Sequence, residues 1–162
     1  MADKATPASG LYTNHIRIRA CGLLVEHGRI LLVQLFSPVV KRPIWTPPGG
    51  GVKFGETVQQ AVQREFLEET NLEVGVEELA LVNELIEPPY HVIEFYFRVK
   101  RRSGKIQLGT DPEHDPDHQI LTRLQFFDSD KLDDIDLKPD AIHEVLAEDT
   151  DFSGDVRYNW QS

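Results

Sequence analysis

The chain is short of cysteine, of positive charge and of long apolar runs, and each shortage removes a class of function. Cys21 is the single cysteine among 162 residues, so no disulfide within the chain braces the fold. A lone thiol fits a reducing compartment, and a cytoplasmic location is the expectation. No apolar stretch reaches the roughly 18 residues that point to a membrane helix, so no membrane partner is expected. The opening "MADKATPASG" lacks the apolar segment of a secretory signal, and residues 1–14 read as a flexible leader. The 17 basic residues stand against 27 acidic ones, a formal net charge of −10. Such a surface repels nucleic-acid backbone, so a nucleic-acid polymer is not an expected partner. The one basic cluster, "KRR" at 100–102, ends a strand and reads as a solvated turn. An acidic protein still takes an acidic small molecule when divalent cations bridge the two.

What is present supports one core, since 40% of the residues are hydrophobic. Ile16 to Val25 and Ile30 to Phe36 are strand-like runs joined across "HGR", which predicts a hairpin. "SPVVKRPIWTPPGGG" carries four prolines and three glycines and predicts an ordered loop rather than a strand or helix. A helix over Val58–Thr70 follows. Thr57 and Gln60 can form a capping box, Val58, Ala61, Val62 and Phe66 share a side, and Asn71 suits a left-handed end. Leu79 to Ile86, His91 to Val99 and residues 120 to 127 predict strands. In the second of these, Ile93, Phe95, Phe97 and Val99 form one face, opposed by Glu94, Tyr96 and Arg98, as in a half-buried sheet. Residues 109 to 119, "GTDPEHDPDHQ", predict a polar loop. Pro139 stands where a last helix can begin, with Ile142, Val145 and Leu146 on its apolar face. Phe152, Tyr158 and Trp160 mark a tail that docks on the domain or touches another subunit. The sum is a mixed α/β domain of two helices and five or six strands, with helices covering a curved sheet.

Within the helix, one feature conflicts with simple packing. At about 100 degrees per residue, Glu65 and Glu69 fall near 0 and 40 degrees, interleaved with Val58 and Val62 near 20 and 60. Like charges three or four residues apart cost a helix roughly 0.2–0.5 kcal/mol per pair, and partial burial adds a larger desolvation cost. Glu68 adds a third carboxylate, and all three lie near the negative end of the helix dipole. A bound cation is the simplest remedy. Hard divalent ions prefer oxygen, and a Gly49-Gly50-Gly51 turn can bring a backbone carbonyl close without side-chain obstruction. The competing reading is an exposed acidic helix balanced by solvent and Arg64.

The same region, Gly50 to Leu72, resembles the signature of the Nudix hydrolase family. Gly50 is followed after five residues by Glu56, and after seven more by Arg64-Glu65, Phe66, Glu68-Glu69 and Leu72. Trp45 and Pro48-Gly49 are similar to the usual approach to that signature. Phe66 is aromatic where an aliphatic residue is usual, Asn71 replaces a glycine, and Lys53 occupies a place often acidic. The likeness extends over roughly residues 16–149.

The resemblance implies an α/β/α sandwich, a mixed curved sheet packed between helices. It places a single hydrolase domain at residues 15–149 and leaves 150–162 as the tail. It also implies hydrolysis, by water attack on phosphorus, of a pyrophosphate linkage in a nucleoside diphosphate joined to another moiety. A nucleoside-triphosphate pyrophosphohydrolase and a non-catalytic nucleotide-binding protein are the alternatives. The partner is a small nucleotide derivative, with a homodimer as one oligomeric option. Mg2+ is the implied cofactor, with Mn2+ as a substitute. Gly49, Gly50, Glu65, Glu68 and Glu69 are the implied metal ligands; Glu68, Glu69 and Arg64 carry the catalytic roles, Arg64 by organising the carboxylates. Glu56 either supports the metal site or serves helix-start electrostatics. A further acid is sought downstream among Glu113, Asp115 and Asp117, with His114 and His118 beside them. Trp45, Lys53 and Tyr90 are candidates to touch substrate, and Phe36 is assigned to core packing ahead of a nucleobase pocket. Pro88 and Pro89 lie near the interval of a proline in ADP-ribose-cleaving members, and Tyr90 near that of a tyrosine in dinucleoside-polyphosphate members. The two hints compete.

Overall fold

The computed structural model describes residues 13–110, 112, 120–148 and 156–161. The chain first reverses at His27 and Gly28, whose φ angles of 52° and 73° are both left-handed. That pair closes a two-residue hairpin between β1 (Ile16–Glu26) and β2 (Arg29–Ser37), with Glu26 opposite Arg29. The Pro/Gly-rich segment expected to be a loop instead contributes two strands, β3 (Arg42–Thr46) and β4 (Gly49–Gly51). Proline is tolerated in β3 because this strand lies at the edge of the sheet, with Pro43 opposite Phe36. Strand β4 lies antiparallel to β1, with Gly49 opposite Cys21 and Gly51 opposite Arg19. A Cβ on Gly49 would stand 2.5 Å from the Cys21 Cα, so only glycine allows this approach.

Helix α1 (Val58–Thr70) follows and has both predicted caps. The Thr57 hydroxyl accepts from the Gln60 amide at 3.1 Å and the Gln60 side chain accepts from the Thr57 amide at 2.9 Å. Asn71 ends the helix at φ 60°, its amide bonded to the Leu67 carbonyl. Strands β5 (Glu73–Glu87) and β6 (Tyr90–Ser103) form an antiparallel hairpin. β5 begins earlier than its alternation predicted because register shifts between Val76 and Leu81 break the period of two. β7 (Leu121–Asp128), a 3-10 turn (Ser129–Asp134), α2 (Ala141–Ala147) and β8 (Arg157–Gln161) complete the described chain.

The main sheet runs β3-β2-β1-β6-β5-β8, with β4 on β1 and β7 on β2. Pairing is mixed: β1 with β6 and β5 with β8 are parallel, and the other ladders antiparallel. Among the described residues eight strands stand where five or six were expected; β3, β4 and β8 make the difference. Ala20, Leu24, Phe97 and Val99 pack with Val62 and Phe66 of α1, while Cys21, Leu23, Leu81 and Tyr96 pack with Ile142 and Val145 of α2. Helices therefore cover both faces. Tyr96 and Glu94 are buried, at 0% and 8% exposure, so the face of β6 assigned to the polar side is interior as well. Strand β8 is held by its backbone ladder to β5, while its aromatic side chains Tyr158 and Trp160 stay exposed. Phe152 lies outside the described residues. Among the described residues, no helix is long and apolar enough to cross a membrane.

Candidate active site

Helix α1 presents Glu65 and Glu69 on the same buried face as Ala61, Val62 and Phe66. At 4% and 3% exposure these carboxylates carry a desolvation cost that ordinary core packing cannot offset. The glycine strand β4 supplies both room and donors. The Gly49 amide donates to Glu69 Oε2 at 3.0 Å, and a Cβ on Gly50 would stand 2.5 Å from the Glu65 carboxyl carbon.

Arg64 ties the helix to the loop before it. Its guanidinium donates to Glu56 at 2.7 and 3.0 Å, to Glu65 Oε1 at 2.6 Å, to Glu68 Oε2 at 3.2 Å and to the Gly51 carbonyl at 2.9 Å. The planar fork makes this convergence possible; a lysine ammonium cannot reproduce it. The hydrogen bond from Arg64 holds the Glu56 carboxyl below its ordinary range. Glu56 also accepts from the Lys53 amide at 3.0 Å, so it braces both the loop and the arginine.

Beside this cluster lies a cleft of about 310 Å³, lined in part by Gly49, Gly50, Glu65 and Glu69. A second polar network borders the same cleft. Arg19 of β1 donates to Glu94 Oε1 at 2.6 Å and to the Gly49 carbonyl at 3.3 Å. Asn83 of β5 donates to Glu94 Oε2 at 3.0 Å, and Asn159 of β8 donates to Asn83 Oδ1 at 2.7 Å. Burial pushes the neighbouring Cys21 thiol up to about 12, so it is not a nucleophile at neutral pH.

Glu65, Glu69, Gly49 and Gly50, which the sequence singled out, thus meet at one cleft, and Arg64 ties Glu68 to Glu65. Tyr90 also lines the cleft. Trp45, a substrate-contact candidate, lies in the core at 6% exposure, with its ring edge-on to Phe127 at 4.6 Å between centroids. Lys53 is exposed on the loop before α1 and does not border the cleft. Phe36 is 49% exposed at the β2–β3 ladder rather than in the core, because its strand neighbour β3 is the sheet edge. Glu113, His114, Asp115, Asp117 and His118 lie outside the described residues. Arg19, Asn83, Glu94 and Asn159 were missed. The available signal was the pair Arg17 and Arg19 inside an otherwise apolar strand, on the same side as Cys21 and Leu23.

The donor chemistry fits a hard divalent cation. Three carboxylates, Glu56, Glu65 and Glu68, share the single guanidinium of Arg64, and Glu69 lies one turn beyond Glu65 on the same helix. Oxygen donors are therefore in excess over positive charge. Their present placement is not a closed shell: among the described residues no three His, Cys, Asp or Glu side chains are gathered as a metal site. Glu65 and Glu68 accept from Arg64 while Glu69 accepts from the Gly49 amide, so the carboxylates do not converge on one point.

A sandwich of this order, with a glycine strand under a helix of buried glutamates, defines the class. A family model for the NUDIX domain matches residues 13–147, and the chain belongs to the Nudix hydrolase family. Members of that family generally use divalent metals. The chain is 31% identical over 120 residues to an ADP-ribose pyrophosphatase of Methanocaldococcus jannaschii, a match covering 73% of this chain and 65% of that protein. Among solved structures, a Nudix hydrolase from Nitrosomonas europaea superposes with a TM-score of 0.68 at 22% identity, covering 90% of this chain and 79% of the other. An ADP-ribose pyrophosphatase from Streptococcus suis gives a TM-score of 0.65 at 20% identity, covering 88% and 98%. At those identities the structural likeness establishes the fold alone.

Proposed function

We propose that the chain is a divalent-metal-dependent hydrolase of a pyrophosphate linkage in a nucleoside diphosphate joined to another group. The observation that carries this reading is the burial of Glu65 and Glu69 against Gly49 and Gly50 on a cleft, in a chain of the Nudix family. Glu65, Glu68 and Glu69, with the Gly49 or Gly50 carbonyl, would hold Mg2+, for which Mn2+ can substitute. When bound, the ion neutralises charge that develops on the phosphate oxygens. Arg64 restrains the Glu65 and Glu68 rotamers before substrate arrives, which lowers the ordering cost of the site. Glu68 or Glu69 orients the attacking water. The water oxygen bonds to phosphorus as one of its protons passes to solvent, the bridging P–O bond breaks, and the bridging oxygen leaves on the second phosphate. Residues 15–149 form the hydrolase domain, and Tyr90 offers an aromatic face at the cleft for the nucleoside part.

The match to an ADP-ribose pyrophosphatase supports ADP-ribose as the first substrate to try. The test is a panel of ADP-ribose, nucleotide sugars, dinucleoside polyphosphates and nucleoside triphosphates, with products resolved and Mg2+ varied. Chelator-sensitive cleavage of the first two to monophosphates is expected. Pyrophosphate released from triphosphates alone would replace this reading with a triphosphate pyrophosphohydrolase, and affinity without turnover would make the protein a binder.

A further inference from the structure

The polar chain behind the cleft begins on the C-terminal strand and ends on the glycine strand. Asn159, Asn83, Glu94 and Arg19 come from β8, β5, β6 and β1, and each link is 3.3 Å or shorter. Asn83 and Glu94 are buried at 2% and 8% exposure. A buried carboxylate is retained only when its lone pairs are satisfied, and here Arg19 and Asn83 take one oxygen each. Arg19 then has a second group to hold. Its Nη2 reaches the Gly49 carbonyl, while the amide of the same residue binds Glu69. Both peptide groups of Gly49 are thus held, the N–H by Glu69 of the carboxylate helix and the C=O by Arg19 of the polar chain.

We propose that Arg19 is a positioning residue for the Gly49–Gly50 peptide beneath the carboxylates, and that β8 holds Arg19 in place through Asn159, Asn83 and Glu94. The C-terminal strand is then a functional part of the site. The proposal rests on the reading of Glu65, Glu68, Glu69 and the glycine carbonyl as the metal-binding group. Glycine leaves φ and ψ a wide range, so a donor to its carbonyl, added to the β1–β4 ladder, narrows the orientation of this peptide. Alternation along β8 separates this role from simple docking: Asn159 faces the chain, whereas Tyr158 on the opposite face donates to Glu84.

The test is Mn2+ binding to the full-length protein, followed by electron paramagnetic resonance without substrate, together with the Mg2+ dependence of turnover. Arg19→Lys keeps the charge but cannot serve Glu94 and Gly49 with one fork, and is expected to weaken Mn2+ binding by about 10-fold. Asn159→Ala, acting through two further hydrogen bonds, is expected to weaken it by about 3-fold. Tyr158→Phe is expected to leave it unchanged. Equal losses from Asn159→Ala and Tyr158→Phe would overturn the chain in favour of strand docking. The buried Arg19 Nε has no hydrogen-bond partner among the described residues, and a direct contact to substrate would use it. In that case Arg19→Lys would raise KM with Mn2+ binding unmoved, which overturns the positioning role. If the unaltered protein binds no Mn2+, this inference and the metal-dependent function both fall. If it binds Mn2+ but Arg19→Lys does not shift the affinity, this inference alone falls.

Discussion

Two arginines donate to carbonyls of the glycine strand, and they are held in different ways. Arg64 is surrounded by residues near in sequence: Glu56, Glu65, Glu68 and the Gly51 carbonyl all lie within 13 positions of it. Arg19 is held by Glu94, 75 residues away, and by Gly49, 30 residues away, with Asn83 and Asn159 behind them. The first cluster is built by one helix and the loop that enters it. The second exists only once β1, β4, β5, β6 and β8 lie side by side. The lesson is that a local cluster depends on helix geometry, while a non-local one depends on sheet register.

Glu69→Gln removes a charge while leaving the shape, and turnover at saturating substrate is expected to fall at least about 10-fold. Unchanged turnover with full metal dependence would remove Glu69 from the site. Arg64→Lys abolishes the five-bond fork, so the Mg2+ concentration for half-maximal rate should rise by roughly 10-fold, with a lower melting temperature. A variant indistinguishable from the unaltered protein in both would show that the local cluster organises itself without the guanidinium.

Acid should act on the local cluster through Glu56. Its folded-state pKa lies below the ordinary 4.5 because Arg64 donates to it. The stability from that difference is present above 4.5 and is lost as the pH falls through the lower folded value. Glu56→Gln should therefore remove part of the decline in stability on acidification below about pH 4.5. Superimposable acid melts of the two proteins would contradict the assignment. The smallest effect is expected at the helix start, where Thr57→Ala should cost about 1 kcal/mol in urea unfolding, with the Arg19 network intact.

Legibility followed the same division. The α1 limits, the capping box and the Asn71 end were readable because their partners lie within four residues of one another. The β1–β2 turn was readable for the same reason. β3 and β4 were hidden by proline and glycine, whose usual meaning is a loop; only an edge position for Pro43 and the close approach to β1 make strands of them. Glu94 gave the wrong impression because alternation reports which residues share a face. It does not say whether a second layer covers that face, and here α2 and the 3-10 turn pack on that side of the sheet.

By itself, the order of residues determined the carboxylate helix, its termini and the spacing that assigns the family, because the helix and its ends depend on contacts within about a turn or two and the spacing is a property of residue order alone. Tertiary structure alone decided that Trp45 belongs to the core, that Tyr90 reaches the cleft, and that the C-terminal strand connects to Gly49 through Arg19. The physical reason is distance along the chain. A hydrogen bond between residues 75 positions apart leaves no periodic trace in sequence, since its geometry is set by how neighbouring strands align.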